Sequence, residues 1–209
     1  MTHDSTGTTY QSTEIDTFLT AVASEQLTPA GGTCAAVVGA TGTALCEMAC
    51  THTVENGPDD TPLAETSGSP AERRQQLAER RQQLARRRQQ LLRLGETDAA
   101  VVEELFDEPA SDRRAAQKRA TGVPLTVAEA CRAVLETAVV VTSHSAPAVR
   151  PDAVSGATFV DAALRSAVHT VRTNTATIDE ASFVETVERR AAEVVAAAAD
   201  AREEIGIAE

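Results

Sequence analysis

Residues 28–45 read Thr-Pro-Ala-Gly-Gly-Thr-Cys-Ala-Ala-Val-Val-Gly-Ala-Thr-Gly-Thr-Ala-Leu and contain almost no large side chains. A proline followed by two glycines and Thr33 is typical of a loop that leads into a helix, with Thr33 as its expected N-cap. Free N–H groups at a helix start attract an anion or a polar ligand. A helix without bulky side chains also lets a neighbouring helix approach closely. This stretch therefore predicts a tightly packed helix behind a ligand-binding loop.

The composition favours closely packed helices. Aromatic residues make up only 2% of the 209 residues, so the core must be built from Ala, Val and Leu. Apolar residues recur at helical spacing, and strand-like alternation is not sustained anywhere. We therefore predict one all-α domain, a bundle of long antiparallel helices. The expected helices cover about 13–25, 33–53, 72–106, 112–143, 152–175 and 180–204.

Caps and breaks set the expected boundaries of these helices. Thr13, with Asp16 three residues later, resembles a capping box, and Asp179 is the expected cap of the last helix. Gly95 is expected to bend the third helix, and Pro124 to kink or restart the fourth.

The N-terminus and the apolar stretches predict where the protein resides. Residues 1–11 are polar, so we expect a disordered tail before a single domain over 12–209. The tail lacks the basic and apolar regions of a signal peptide. Gly, Thr and Glu47 interrupt the longest apolar stretches, so no transmembrane helix is expected. A cytoplasmic protein without a membrane partner is predicted.

The charge balance is strongly acidic. The formal net charge is −12, from 31 acidic and 19 basic residues, and Lys118 is the only lysine. This composition suggests a salt-adapted, halophilic cytoplasm, although a GC-rich genome is the alternative explanation. The charge also argues against nucleic acid as a general partner.

Two of the four cysteines, Cys46 and Cys50, are one helical turn apart, so a zinc pair is conceivable. No second Cys or His pair has zinc-site spacing. We therefore interpret the cysteines as small buried apolar residues, and predict no metal site.

Residues 72–93 are an internal repeat with a period of seven, Glu-Arg-Arg-Gln-Gln-Leu-Ala in its first two copies. Its leucines form one stripe, which is weak support for a coiled coil. Eight Arg and two Glu give the segment a charge of +6. Two interpretations remain open: a solvated helix face that balances acidic neighbours, or attraction of an anionic ligand tail or an acidic partner.

Five motifs occur in the order found in a known family. The chain resembles the C-terminal domain family of formiminotransferase-cyclodeaminase, whose members include methenyltetrahydrofolate cyclohydrolases. The resemblance extends over residues 12–205, nearly the whole chain. The motifs are Pro-Ala-Gly-Gly-Thr at 29–33, Glu-Thr-Asp-Ala at 96–99, Val-Pro-Leu at 123–125, Arg-Pro-Asp at 150–152 with Ala-Ala-Leu-Arg at 162–165, and Val171 with Asn174.

The resemblance implies an all-α homodimer that binds a reduced folate. Family members open the bridge of 5,10-methenyltetrahydrofolate with water, giving 10-formyltetrahydrofolate, or expel ammonia from 5-formiminotetrahydrofolate. Both reactions act on one carbon between two nitrogens. They require proton transfer and no metal or redox cofactor, so we expect none.

The resemblance also implies site residues. Asp98 matches the family's catalytic carboxylate; without the resemblance it is an exposed helix residue. Its apolar neighbours and Glu96 favour a raised pKa. Asp152 is a second catalytic candidate, as a partner carboxylate or as a hydrogen-bond acceptor for the pterin, with an N-cap role as the alternative. The substrate-binding candidates are Pro29, Gly31, Gly32, Thr33, Glu96, Arg150 and Asn174.

Arg150 and Asn174 have alternatives. Arg150 is expected to pair with a folate carboxylate or to lie free in water, and Asn174 to bind the pterin or cap its helix. We predict a cyclohydrolase, because a chain of 209 residues has no room for a formiminotransferase domain. The alternatives are a cyclodeaminase that releases ammonia and an inactive folate-binding or assembly protein. The last follows from altered motifs such as Pro151, where the family has Ser.

Overall fold

The computed structural model describes residues 13–56, 69–107 and 113–207. Its described part contains helices and no strands, which confirms the all-α prediction. The expected tail at 1–11 lies outside the described residues. The helices are α1 (Ile15–Val22), α2 (Gly31–Asn56), α3 (Pro70–Asp107), α4 (Arg113–His144), α5 (Arg150–Thr175) and α6 (Ala181–Ile205).

Helix α2 is the centre of the bundle, because α3 and α5 both pack along it. Small residues make the α2–α5 approach close. A Cβ atom added at Gly42 would lie 2.4 Å from the carbonyl oxygen of Gly156, and one added at Gly39 would lie 3.4 Å from the Cβ of Ala163. The predicted close packing of this small-residue helix is confirmed.

The long helix α3 turns its leucine stripe into the core. Leu77, Leu84 and Leu91 are fully buried, where α3 packs against α2 and α4. Full burial of a leucine contributes about 1.5–3 kcal/mol. One apolar residue per heptad is thus enough to anchor the Arg-rich segment to the bundle.

Several predicted caps and breaks are wrong. The N-cap residue of α1 is Glu14, without a side-chain hydrogen bond, and that of α6 is Glu180 rather than Asp179. Helix α3 continues through Gly95, and α4 contains Pro124 inside an unbroken helix, so the predicted restart at Pro124 is wrong. A bend at Gly95 and a kink at Pro124 stay predictions. Packing of these long helices on both sides outweighs the local helix-breaking tendency of single residues.

The burial of three of the four cysteines agrees with their interpretation as small buried apolar residues. Cys46, Cys50 and Cys131 are buried, and burial raises the pKa of each to about 12. They are therefore protonated thiols, and Cys46 donates to the carbonyl oxygen of Ala153 over 3.6 Å. Within residues 13–56, 69–107 and 113–207, no group of three or more His, Cys, Asp or Glu is arranged to hold a metal ion.

By length and composition alone, α2 meets the requirements for a membrane span, whereas no transmembrane helix was expected from the sequence. Its most apolar 18-residue window has a mean hydropathy of 1.3. More than half of that window, 56%, is buried inside the protein. This burial is what the central helix of a bundle requires, and α2 has that position here.

Candidate functional site

Asp98 lies beneath the first turn of α2. Its carboxylate Oδ2 accepts a 2.9 Å hydrogen bond from the Thr33 hydroxyl, and only 4% of the residue is exposed. Gly32 completes the contact, since a Cβ added there would lie 2.4 Å from Oδ1 of Asp98. The structure therefore brings together three of the predicted site residues, and it excludes an exposed Asp98.

Burial raises the pKa of the Asp98 carboxyl above its ordinary value, as predicted from its apolar neighbours in the sequence. Hydrogen bonds from the hydroxyl and the backbone N–H of Thr33 oppose this shift. The predicted influence of Glu96 is not among its causes. Burial raises the pKa of the neighbouring Cys34 thiol, and the negative charge of the Asp98 carboxylate raises it further. The site thus contains a carboxyl that gains and loses a proton closer to neutral pH than an ordinary Asp.

The start of α2 is occupied by this carboxylate. The helix begins at Gly31, and the Cys34 N–H donates to the Ala30 carbonyl over 2.9 Å, so Thr33 lies inside the first turn. The predicted N-cap role of Thr33 is therefore wrong. The free N–H groups of a helix start need acceptors, and the N–H of Thr33 finds one in Asp98.

The loop before α2 is fixed to α3. Pro29 is buried, and the hydroxyl of Thr28 donates to Oε1 of Glu103 over 2.6 Å. Further along the contact, a Cβ added at Gly95 would lie 3.6 Å from the carbonyl oxygen of Thr33. The close approach of α2 and α3 that these contacts maintain is what holds Asp98 against the helix start.

Glu96 lies two residues before Asp98 on α3. It is half-buried, and its Oε1 atom is buried without a hydrogen-bond partner among the described residues. A buried carboxylate oxygen without a partner is costly. Glu96 therefore retains an acceptor that a ligand donor would satisfy.

Asn174 lies at the same end of the bundle, near the end of α5. Its side-chain amide donates to the carbonyl oxygen of Ala120 on α4 over 2.8 Å. The neighbouring residue of α4, Arg119, forms an ion pair with Glu104 near the end of α3. Asn174 thus connects α5 to α4, and its amide oxygen is not used in that bond.

Asp152 and Arg150 lie far from Asp98 within one chain. Both residues are exposed in the first turn of α5. Cys46 contacts Ala153 at this point, and Cys46 is about 20 Å along α2 from Gly32 at a rise of 1.5 Å per residue. The two predicted catalytic carboxylates are therefore not neighbours in one chain.

The alternative N-cap role of Asp152 is also wrong. The N-cap of α5 is Val149, with Pro151 in the first turn, and Asp152 follows inside the helix. An acid in this position interacts favourably with the helix dipole. Asp152 thus contributes to the start of α5 by its charge and not by a cap.

Two further features were not predicted from the sequence. The thiol of Cys34 lies close enough to Asp98 for the carboxylate to act on its pKa, and the adjacency of Cys34 to Thr33 was the available signal. Asp161 is also buried. Its carboxylate forms ion pairs with Arg165 at 2.9 Å and with Arg202 at 3.5 Å, and these ion pairs explain how the charge is stabilised in a buried position. The i,i+4 spacing of Asp161 and Arg165 was its signal.

Comparisons with known proteins identify the family. The model of the family described as formiminotransferase-cyclodeaminase matches residues 14–193, whereas no curated protein matches the sequence significantly. The chain is similar in fold to the crystal structure of formiminotetrahydrofolate cyclodeaminase from Thermotoga maritima, with a TM-score of 0.83 and 18% identity over 93% of this chain and 94% of that one. At this identity the likeness concerns the fold alone. Because the family model covers most of the sequence, the chain belongs to the formiminotransferase-cyclodeaminase family.

Proposed function

We propose that this protein acts on the one-carbon unit between N5 and N10 of a reduced folate, with Asp98 as the proton-transfer group. The supporting observation is the burial of Asp98 beneath the first turn of α2, with Thr33 and Gly32 against its carboxylate. A carboxyl with a raised pKa is suited to accept and return a proton near neutral pH. Family membership supplies the substrate class.

The first candidate reaction is hydrolysis of 5,10-methenyltetrahydrofolate. Water attacks the bridging carbon while ionised Asp98 accepts one of its protons. Asp98 then returns that proton to N5 as the carbon–N5 bond breaks. The remaining hydroxyl proton passes to solvent, and 10-formyltetrahydrofolate is the product. Asp98 thus alternates between base and acid, because Asp152, the second predicted catalytic carboxylate, lies far from it in the same chain.

The second candidate reaction is cyclodeamination of 5-formiminotetrahydrofolate. N10 attacks the carbon of the protonated formimino group and loses its proton to Asp98, and the carboxyl then returns that proton to the amino group, which leaves as ammonia. The name of the structural neighbour, a formiminotetrahydrofolate cyclodeaminase, favours this reaction. Neither reaction changes an oxidation state, so the proposal includes no redox cofactor.

The proposed binding residues lie at the end of the bundle that contains Asp98. The unpartnered Oε1 of Glu96 is suited to accept hydrogen bonds from the amino group of the pterin. Gly31, one residue before Gly32, has no neighbouring atoms within 4 Å of an added Cβ, so its backbone remains open to approach. Pro29 and Asn174 are the flanking candidates, and Arg150 joins the site only if a second chain contributes it.

We also propose a homodimer. Side chains on α1 leave a large apolar area uncovered, with Ile15 78% and Leu19 57% exposed. Val38 on α2 and Phe159 on α5 are also exposed. A second copy that covers these side chains would gain about 25 cal/mol for each Å² of apolar surface buried. Size-exclusion chromatography with light scattering tests this, and a monomer at micromolar concentration contradicts it.

One experiment separates the candidate functions. The purified full chain, kept in high salt, is mixed in parallel with 5,10-methenyltetrahydrofolate and with 5-formiminotetrahydrofolate. Loss of the near-ultraviolet absorbance of the first compound, faster than in buffer, supports hydrolysis. Ammonia release from the second supports cyclodeamination. Binding without turnover of either compound supports the inactive alternative and contradicts the proposal.

Asp98→Asn is the control for contaminating enzymes. It keeps the size of the side chain and removes the exchangeable carboxyl proton. Turnover that persists unchanged in this variant does not come from the proposed site. Circular dichroism of the variant establishes that the loss of turnover occurs in a folded protein.

A further inference from the structure

Two rows of arginines flank the buried leucines of α3. At 3.6 residues per turn, Arg81 and Arg88 lie on one side of the leucine stripe, and Arg80 and Arg87 lie on the other. The seven-residue repeat therefore generates two parallel positive edges on one helix. Their surroundings differ.

The first row is neutralised by α2. Arg81 forms an ion pair with Glu55 at 3.2 Å, and Arg88 with Glu47 at 2.8 Å. The Arg88–Glu47 pair is the more protected, with side-chain exposures of 32% and 22%. The ion pairs of this row agree with the interpretation of the repeat as a helix face that balances acidic neighbours.

The second row contacts amides instead of carboxylates. Arg80 donates to Oε1 of Gln83 over 2.9 Å, and Arg87 donates to Oε1 of Gln90 over 2.7 Å. The Nε atom of Arg80 is buried and lacks a hydrogen-bond partner among the described residues. Within that part of the chain, no ion pair neutralises this row.

This row lines a cleft between α3 and α4 that extends to α6. Two adjoining cavities of about 620 Å³ and 480 Å³ form the cleft. Arg80 lines the larger cavity, and Arg87 lines both. The larger cavity is also lined by Arg86. The guanidinium groups therefore border a continuous space large enough for a small molecule.

The acidic side chains of the cleft already have partners. Glu129 pairs with Arg190 at 2.5 Å, and Glu136 pairs with Arg132. Glu193 pairs with Arg189 at 2.8 Å. The unneutralised charge that remains in the cleft is therefore positive, on a protein whose net charge is −12.

We propose that this cleft binds a short linear polyanion, a chain of phosphate or carboxylate groups. Arg80 and Arg87 are two helical turns apart, about 10 Å at 1.5 Å per residue, so successive anionic groups of such a chain can reach both. Guanidinium groups bind both phosphate and carboxylate with paired hydrogen bonds. Gln83 and Gln90 hold the two guanidinium groups in the cleft through their side-chain oxygens.

Calorimetric titration of the full chain in low salt tests this proposal. The probes are inorganic tripolyphosphate and a hexaglutamate peptide, and the proposal does not depend on turnover of a folate. We expect one of the two to bind with an affinity that falls as salt is added. Tighter binding of tripolyphosphate identifies a phosphate ligand, and tighter binding of hexaglutamate a carboxylate ligand.

The two rows provide matched variants. The double variant Arg80→Gln with Arg87→Gln should weaken binding of the preferred probe by about tenfold or more, since charged hydrogen bonds of this kind are strong. The control, Arg81→Gln with Arg88→Gln, removes the same charge from the same helix. It should change the affinity by less than about twofold, because those arginines already have partners.

Three results would overturn the proposal. They are no binding of either probe, an equal loss in both double variants, and full affinity in the Arg80/Arg87 variant. If that variant does not fold, the single variant Arg87→Gln replaces it, since Arg87 is exposed and its removal leaves the buried Nε of Arg80 in place. It should still weaken binding severalfold, and unchanged affinity would contradict the proposal.

Discussion

Asp98 and Asp152 are both acids in contact with the first turn of a helix, yet their settings differ. Asp152 lies in the first turn of its own helix, α5, and is exposed. Asp98 reaches across from α3 to the first turn of α2 and is only 4% exposed. A helix start attracts both carboxylates, but burial acts on Asp98 alone and raises its pKa.

The difference between the two acids shows which factor determines the pKa of a carboxyl in this bundle. The favourable N–H groups of a helix start lower a carboxyl pKa, and the hydrogen bonds of Thr33 do so for Asp98. Loss of water around the charge has the opposite and larger effect at this position. Gly32 on α2 and Gly95 on α3 let the two helices approach closely, and this close approach buries Asp98. Small residues in the sequence thus determine the chemistry of a carboxyl that lies 65 residues away from its hydrogen-bond partner.

The largest expected effect is on turnover. Asp98→Asn should lower kcat/KM for the preferred folate by about 10²–10⁴-fold, the usual contribution of general acid–base catalysis. Asp152→Asn should change it by less than a few-fold if each chain works independently. Both are measured by the initial rate of the near-ultraviolet absorbance change. A large loss in Asp152→Asn with intact Asp98 would instead indicate that a second chain completes the site.

The next effect is on stability, and two adjacent glycines test it. Gly32→Ala should lower the free energy of unfolding by about 1–3 kcal/mol, the usual cost of overpacking, because the new Cβ would lie 2.4 Å from Asp98. Gly31→Ala has no such contact and should be neutral or slightly stabilising. Urea unfolding of the two variants measures the difference. Equal stability would show that Asp98 moves away without cost.

The pH dependence of stability should carry the sign of a raised carboxyl pKa. The pKa of folded Asp98 lies above its ordinary value of 3.8 because of burial, so protonated Asp98 favours the folded state. Its stabilising contribution is complete below pH 3.8 and is lost as the pH rises through the folded-state pKa. The parent protein should therefore lose stability over this range relative to Asp98→Asn.

Parallel urea unfolding of the parent and Asp98→Asn over a pH series measures this. Asp161 also has a pKa raised by burial, but it is present in both proteins and cancels in the difference. Asp152→Asn serves as the comparison variant. A parent protein that gains stability relative to Asp98→Asn as the pH rises would contradict the assigned direction.

The smallest expected effect is that of Asp152 on stability. Asp152→Asn should lower the free energy of unfolding by about 0.3–1 kcal/mol at low ionic strength, the usual value for an acid near a helix start. The loss should shrink in high salt, because the interaction is exposed and screened. Urea unfolding at two salt concentrations measures it. A loss that is independent of salt would mean that Asp152 has a contact beyond the helix dipole.

Much of the fold was predictable from periodicity and composition. The scarcity of aromatics and the spacing of Ala, Val and Leu indicated long helices, and the heptad indicated the stripe that Leu77, Leu84 and Leu91 bury. Caps were less predictable. Thr33 has the right side chain for an N-cap, but its hydroxyl donates to Asp98 instead. The rules for helix caps use neighbouring residues only and therefore do not predict a partner 65 residues away. The salt-adapted origin, the cytoplasmic location and the absence of a cofactor stay predictions.

The candidate site was predictable only in part. Asp98 and the loop before α2 were found because their motifs resemble those of the family. The separation of Arg150 and Asp152 from them depends on which ends of antiparallel helices meet, and a motif order along the chain contains no such information. Likewise, the repeat shows how many arginines α3 carries, but only the neighbours of each row decide which charges are neutralised.

The amino-acid sequence by itself determined the helical class, the stripe of leucines and the small-residue surface of α2, because these follow from side-chain size and from periods of a few residues. The tertiary structure alone decided that Asp98 is buried and that Asp152 is exposed. It also decided that one arginine row is paired while the other borders a cleft. Burial and charge pairing depend on contacts between helices that are distant along the chain, and local sequence does not specify those contacts.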